Sequence, residues 1–133
     1  MMRRVGLVLA VAVAATDCSN GPTGPTSGTL NVALTGAGAA DRAVLIEVAG
    51  TDTSARIDTV VAAVGSPYRV FAQRQTRTVW RVIVTGPIAN GILVQLGVPD
   101  KGKSGFYNGT VQDAADATFA ELAPGARAIT VAP

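Results

Sequence analysis

The clearest candidate for chemistry in the sequence is the run GVPDKGKS, which begins at Gly97 and ends at Ser104. It matches the phosphate-loop pattern G-x-x-x-x-G-K-[ST]. In such a loop, backbone N–H groups surround a phosphate, the lysine (here Lys103) contacts it, and the serine holds Mg²⁺. The mechanism requires a strand before the loop and a helix after it, because the helix N-terminus points at the phosphate.

The residues after this match do not favour a helix. Residues 105–111 (GFYNGTV) contain two glycines, an asparagine and aromatic or β-branched residues, which oppose helix formation. Pro99 lies inside the loop, and no apolar strand ending in Asp follows to hold a metal. We therefore predict a lysine-bearing hairpin loop between Val98 and Phe106, and no nucleotide binding.

Other catalytic chemistry has little support in the sequence. The chain contains no His, which removes the commonest general base and metal ligand. The acidic residues are scattered; Asp113 and Asp116 are near neighbours, but surface turns commonly contain such pairs. We therefore predict that the protein is not an enzyme and has no metal site and no cofactor.

Two groups of residues are candidates for binding. Four arginines surround a predicted hairpin turn near Gln75, and they are Arg69, Arg74, Arg77 and Arg81. Arg77 and Arg81 fall on the face opposite Trp80, so we expect them to point to solvent. They form either an ordinary solvated sheet face or a patch for an acidic partner or an anionic glycan.

The second candidate is Tyr107, which follows Phe106 directly. An exposed tyrosine could stack on a sugar ring, as in carbohydrate-binding modules. Aromatic residues make up 5% of the chain, which disfavours a full stacking platform. The alternative is that one of these two aromatics lies in the core and its neighbour lies at the rim.

Residues 1–17 have the proportions of a secretory signal peptide. Arg3 and Arg4 precede an apolar run from Val5 to Ala15. This run is about half as long as the ~20 residues that a membrane-spanning helix needs. The sequence therefore predicts export.

The 1 Cys of the chain, Cys18, stands just after this apolar run. A lone Cys cannot form an internal disulfide and is unusual in an exported domain. The arrangement resembles a bacterial lipoprotein signal, which implies a lipid on Cys18. Ser19 follows it instead of the Asp that retains many lipoproteins in the inner membrane, so the resemblance implies the outer membrane. The alternative is ordinary cleavage after Ala14, which would secrete the protein with a free thiol.

The rest of the chain divides into a tether and one domain. Residues 18–28 are rich in Gly, Pro, Ser and Thr and predict a flexible tether. Residues 29–133 suffice for one domain with a modest core. Without residues 1–17 the chain has nine basic and eight acidic residues. Nucleic-acid binding therefore has no electrostatic support.

The domain shows the period-2 alternation of apolar residues that half-buried strands produce. Turn signals containing Gly or Pro separate the alternating stretches. The clearest stretches are 30–34, 44–48, 80–84, 92–98 and 129–131. We predict an all-β domain, a single antiparallel β-sandwich of seven to nine strands.

Two stretches also carry helical signals. Residues 54–65 place Ile57, Val60, Val61 and Val64 at helical spacing, but their β-branched residues favour a strand. Residues 111–122 are rich in Ala, and for them we predict a strand followed by a short turn of helix.

The run VWRVIVTGPIANGILVQLGVPD (79–100), with LNVALT and AVLIEVAG upstream, resembles cohesin-type sandwich domains in its pattern. Cohesins bind dockerin modules through one sheet face, and related sandwiches bind glycans. No residue here matches a dockerin contact, so no residue role is carried over. With the GPTGPTSG tether after Cys18, the layout also resembles small lipoproteins of environmental bacteria.

We therefore predict a lipid-anchored, non-catalytic binding module of the cell envelope, with a protein partner favoured slightly over a glycan. An inert structural envelope protein is the remaining alternative, because a fold does not by itself choose a ligand.

Overall fold

The computed structural model describes residues 24–123 and 125–133. The predicted signal peptide, Cys18 and the first half of the predicted tether lie outside the described residues. Within them, no helix is long and apolar enough to cross a membrane. The described residues form eight strands and one short 3-10 segment: β1 (Gly28–Thr35), β2 (Ala43–Gly50), β3 (Thr59–Ala62), β4 (Arg69–Arg74), β5 (Val79–Thr85), β6 (Gly91–Val98), the 3-10 segment (Lys101–Phe106), β7 (Tyr107–Ala115) and β8 (Ala128–Ala132).

The strands form two antiparallel sheets of four. The strand order is β3-β6-β1-β8 in the first sheet and β4-β5-β2-β7 in the second. The predicted all-β sandwich is confirmed, and eight strands fall within the predicted seven to nine. β1 and β2 each occupy a central position in their sheets, with a neighbouring strand on both sides.

The core lies between the two sheets and consists of the alternate side chains that point inward. From the two central strands these are Leu30, Val32, Leu34, Val44, Ile46 and Val48, each at most 1% exposed. Burying a side chain of this size stabilises the fold by roughly 1.5–3 kcal/mol relative to leaving it in water. The alternation in the sequence therefore corresponds to the buried face of each sheet.

Most connections between the strands pass from one sheet to the other. Among the described strands only β4 and β5 form a hairpin, and the six remaining connections change sheet. The predicted hairpin loop between Val98 and Phe106 is therefore wrong, because β6 and β7 belong to different sheets. The Asp100 side chain accepts a hydrogen bond from the Gly102 N–H (3.0 Å) at the start of the 3-10 segment in this crossover.

The crossover also contains the match to the phosphate-loop pattern. The 3-10 segment (Lys101–Phe106) follows β6 after two residues, and β7 begins directly after it. A strand therefore stands where a phosphate loop needs a helix. In a phosphate loop the N-terminus of that helix points at the phosphate.

Residues 54–65 form a strand over Thr59–Ala62, which confirms the strand interpretation for that part of the stretch. Ser54 does not cap a helix. Its backbone N–H and its hydroxyl both donate to the Asp52 carboxylate, at 2.6 and 2.8 Å. Ile57, which is 1% exposed, lies in the extended segment before β3 and reaches the core from there.

The predicted turn of helix after β7 is wrong, because the chain reverses in a tight loop. One carboxylate oxygen of Asp116 accepts hydrogen bonds from the Thr118 hydroxyl (2.7 Å), the Thr118 N–H (2.8 Å) and the Ala120 N–H (3.0 Å). These bonds hold the pKa of Asp116 below its usual range. The Leu122 N–H then donates to the Ala114 carbonyl (2.9 Å), so the chain runs back beside β7.

A buried ion pair ties the loop after β1 to the segment before β8. Arg127 donates from Nε and Nη2 to the two carboxylate oxygens of Asp41, at 2.8 and 2.6 Å. The Gly38 N–H donates to the same carboxylate (2.9 Å). Asp41 is fully buried, and only 7% of the Arg127 side chain is exposed. The hydrogen bonds from Arg127 hold the pKa of Asp41 below its usual range.

Candidate binding face

The outer side of the β4-β5-β2-β7 sheet, called the exposed face below, carries the candidate site. Paired residues on neighbouring strands point to the same side of a sheet. The pairing therefore arranges this face in rows that run across the four strands. The central row is Phe71, Ile83, Leu45 and Asp113; the rows on either side are Gln73, Arg81, Glu47 and Thr110, and Arg69, Thr85, Ala43 and Ala115.

Three large apolar side chains lie next to one another in the central row. Phe71 is 57% exposed and Ile83 is 44% exposed, while Leu45 is partly buried between its neighbours. Single exposed apolar residues are ordinary on protein surfaces, but a contiguous group of them marks an interaction site.

A groove of about 320 Å³ continues this apolar row towards β7. Its lining includes Leu45 and Ile83 on the sheet and Phe119 and Glu121 in the loop after β7. Phe119 is 88% exposed and has a φ of 66°, in the left-handed region. A non-glycine residue held there costs of order 1–3 kcal/mol. The Asp116 hydrogen bonds maintain this conformation, and they leave an aromatic ring in water beside the groove.

Charged side chains divide the exposed face into two halves. The β4 and β5 half carries Arg69 and Arg81, whereas the β2 and β7 half carries Glu47 and Asp113. Arg81 Nε lies 3.7 Å from the Glu47 carboxylate within the same row. An exposed ion pair of this kind contributes little to stability and is free to exchange partners.

The structure does not bring the four predicted arginines together, although all four are exposed. The predicted turn is present, since the Gln75 N–H donates to the Val79 carbonyl (2.8 Å). Arg77 lies in that turn. Arg74 is paired with Trp80 and so belongs to the inner side of β4. Of the four, only Arg69 and Arg81 lie on the exposed face, in the two rows on either side of its apolar row.

The interpretation of Tyr107 as an exposed stacking residue is wrong. Tyr107 is 6% exposed, and its hydroxyl donates to the Arg56 carbonyl (2.7 Å). Burial raises the pKa of this phenol. The alternative arrangement is the one observed: Phe106 is 44% exposed at the end of the 3-10 segment, and Tyr107 begins β7 with its ring towards the core.

The residues that build the apolar row were missed from sequence, although a signal for them exists. In VLI (44–46) and VIV (82–84) the apolar residues are consecutive, so both faces of the strand must be apolar there. Leu45 and Ile83 are the outward members of these runs. No comparable signal marks Phe119, because its exposure depends on the loop around Asp116.

The outer side of the first sheet lacks such a group. There the Gln95 side-chain amide N–H donates a hydrogen bond to the Asn31 side-chain oxygen (2.9 Å). These two polar residues separate Val61 from Ala132 in the same row. The parts of the chain that the structure describes contain no group of three or more potential metal ligands.

No protein-family model matches the chain, and neither a curated protein nor a solved structure matches it. The resemblances to cohesin-type domains and to bacterial lipoproteins stay predictions, and the function has to be argued from the exposed face.

Proposed function

We propose that the protein is a non-catalytic interaction module of the cell envelope, which carries a lipid on Cys18 and binds a protein through the exposed face. The observation that supports the proposal is the contiguous apolar row of Phe71, Ile83 and Leu45, which continues into the groove beside Phe119. The layout of an apolar centre with charged residues around it is that of a protein–protein interface.

A protein suits this face better than a glycan. Protein interfaces derive most of their affinity from a few aromatic and aliphatic anchors that lose all contact with water. Sugar recognition would need polar groups beside an aromatic platform, and the tyrosine considered for that role is buried. The charged residues on the face flank the apolar row on both sides and at its β7 end, where they would orient a partner.

The binding proposal predicts that Ile83→Asp removes a protein partner. The change places a charge at the centre of the apolar row, where binding would have to desolvate it. Tagged wild type and variant would be expressed in the producing organism and purified from its envelope in mild detergent. We expect the wild type to retain a bound protein and the variant to lose it by a factor of about ten or more.

Arg77→Ser is the matched control, because Arg77 is also exposed but lies in the hairpin turn away from the exposed face. It should retain the same protein as the wild type. Retention of the partner by Ile83→Asp would contradict the assignment to this face. A partner that resists protease but is lost after periodate oxidation of the envelope would indicate a glycan, and no partner at all would favour the inert alternative.

The lipid anchor has its own test, which does not depend on the exposed face. Metabolic labelling with a fatty-acid analogue should mark the wild type and should leave Cys18→Ala unmarked, because the chain has 1 Cys. Labelling that persists in the variant would exclude attachment through this residue. An unlabelled wild type found in the medium would indicate ordinary secretion.

A further inference from the structure

We propose that the occupant of the exposed face is a second copy of this chain, in a two-fold dimer in which β5 of each copy lies over β2 of the other. This inference rests on the proposed function, because it names the protein partner of that face. Most soluble oligomers are symmetric homo-oligomers in which both copies use the same patch.

The symmetry follows from the arrangement of charge. A two-fold axis that relates two packed faces lies in the plane between them. Suppose that the axis runs parallel to the strands and passes between β5 and β2. Each row of one copy then lies over the same row of the other copy, with the order of the strands reversed. Ile83 of one copy then meets Leu45 of the other, and Arg81 meets Glu47, twice in each dimer.

The margins of the face agree with the same operation. β4 of one copy comes to lie over β7 of the other, since these strands flank the sheet on opposite sides. Phe71 on β4 therefore lies over Asp113 of the other copy and approaches Phe119, which lines the same groove as Asp113. Both phenylalanine rings are exposed in the single chain. Arg69 approaches the half of the other copy that carries Asp113 and Glu121.

The other in-plane axis, perpendicular to the strands, is disfavoured by the same charges. This axis would place each strand antiparallel over the same strand of the other copy. The two Asp113 side chains would then face each other at one margin. Like charges opposed across an interface are costly. The axis parallel to the strands instead places Arg81 against Glu47 twice in each dimer and brings Arg69 over Ala115, beside Glu121.

The size of the face is sufficient for a weak dimer. Four strands spaced by about 4.8 Å, each contributing about seven residues with a rise of about 3.3 Å, give a face of roughly 19 by 23 Å. Two such faces remove roughly 870 Å² from water, which is below the about 1,000 Å² expected of a stable interface and is the size of a weak, transient one. Anchoring both copies in one membrane would raise their effective concentration.

The test uses two differently tagged copies, co-expressed in the producing organism and solubilised from its envelope in mild detergent. With wild-type copies, the second tag should co-purify with the first. When both copies carry Arg81→Glu, or both carry Glu47→Arg, the facing charges are alike, and co-purification should fall by at least about tenfold. When one copy carries Arg81→Glu and the other Glu47→Arg, every facing pair is again opposite, and co-purification should return.

Arg74→Glu in both copies makes the same charge change outside the exposed face and should have no effect. The proposal is overturned if the single variants co-purify like the wild type, if the mixed pair does not recover, or if wild-type copies never co-purify. In the last case the Ile83→Asp experiment still decides the proposed function: a different protein that depends on Ile83 would leave that function standing without the dimer.

Discussion

Asp41→Ala should lower the free energy of unfolding by about 3–5 kcal/mol, which is the usual cost of breaking one side of a buried ion pair. The substitution leaves the Arg127 guanidinium in a site where 7% of its side chain is exposed, without the two carboxylate hydrogen bonds. A domain of this size has a total stability of about 5–15 kcal/mol, so the loss is a large share of it. Urea unfolding followed by circular dichroism would measure the difference.

The exposed ion pair between Arg56 and Asp58 provides the matched control. Its distance is almost the same (2.7 Å), but both side chains are more than 40% exposed. Asp58→Ala should therefore cost less than about 1 kcal/mol. The double variant Asp41→Ala/Arg127→Met should recover much of the loss, because no buried charge remains. Equal effects of Asp41→Ala and Asp58→Ala would contradict the structural role of the buried pair.

The same ion pair contributes to the dependence of stability on pH. Hydrogen bonds from Arg127 keep the pKa of Asp41 below the value of 3.8 that the unfolded chain would have. A carboxyl group with a lowered pKa stabilises the fold above its unfolded pKa and loses that contribution as the pH falls through its folded pKa. The difference between wild type and Asp41→Ala should be full at neutral pH and shrink below pH 3.8.

Ile46→Ala should cost about 2–5 kcal/mol. Ile46 is fully buried at the middle of β2, which pairs on both sides with β5 and β7. Truncation removes apolar contacts and leaves a cavity between the two sheets, because the neighbouring strands cannot move together to fill it. The midpoint of urea unfolding should fall while its slope remains unchanged.

Ile83→Ala is the matched control, since Ile83 lies in the same sheet but points outward and is 44% exposed. Measured on dilute protein, it should change the free energy of unfolding by less than about 1 kcal/mol. An equal loss for both substitutions would mean that the outer side of the sheet is buried. A loss for Ile83→Ala that appears only at high protein concentration would instead report association through the exposed face.

Sequence patterns predicted the strands well because alternation is a local property. Val44, Ile46 and Val48 identify the buried side of β2 without any knowledge of its neighbours. The pairing could not be predicted in this way, because six of the seven connections change sheet. The Asp41–Arg127 pair illustrates the limit: its members are 86 residues apart, and nothing local to either residue marks it as a partner of the other.

Only part of the candidate site could be predicted from the sequence. The two aromatics at 106 and 107 differ in exposure because the 3-10 segment determines which of them begins β7 facing the core. No simple sequence pattern indicates which of the two aromatic side chains faces the core. Leu45 and Ile83 could have been found from the consecutive apolar residues around them, whereas Phe119 required the loop itself.

The pairing of β1 with β8 has a consequence for how the chain folds. The Thr35 hydroxyl donates to the Ala128 carbonyl, 93 positions further along the chain, so β1 gains its second neighbour only from β8. Contacts between such distant segments give a high contact order, and folding slows accordingly. A nascent chain must then carry an incomplete first sheet until β8 has been synthesised. Delayed folding of this kind would keep the chain extended for the export that we propose.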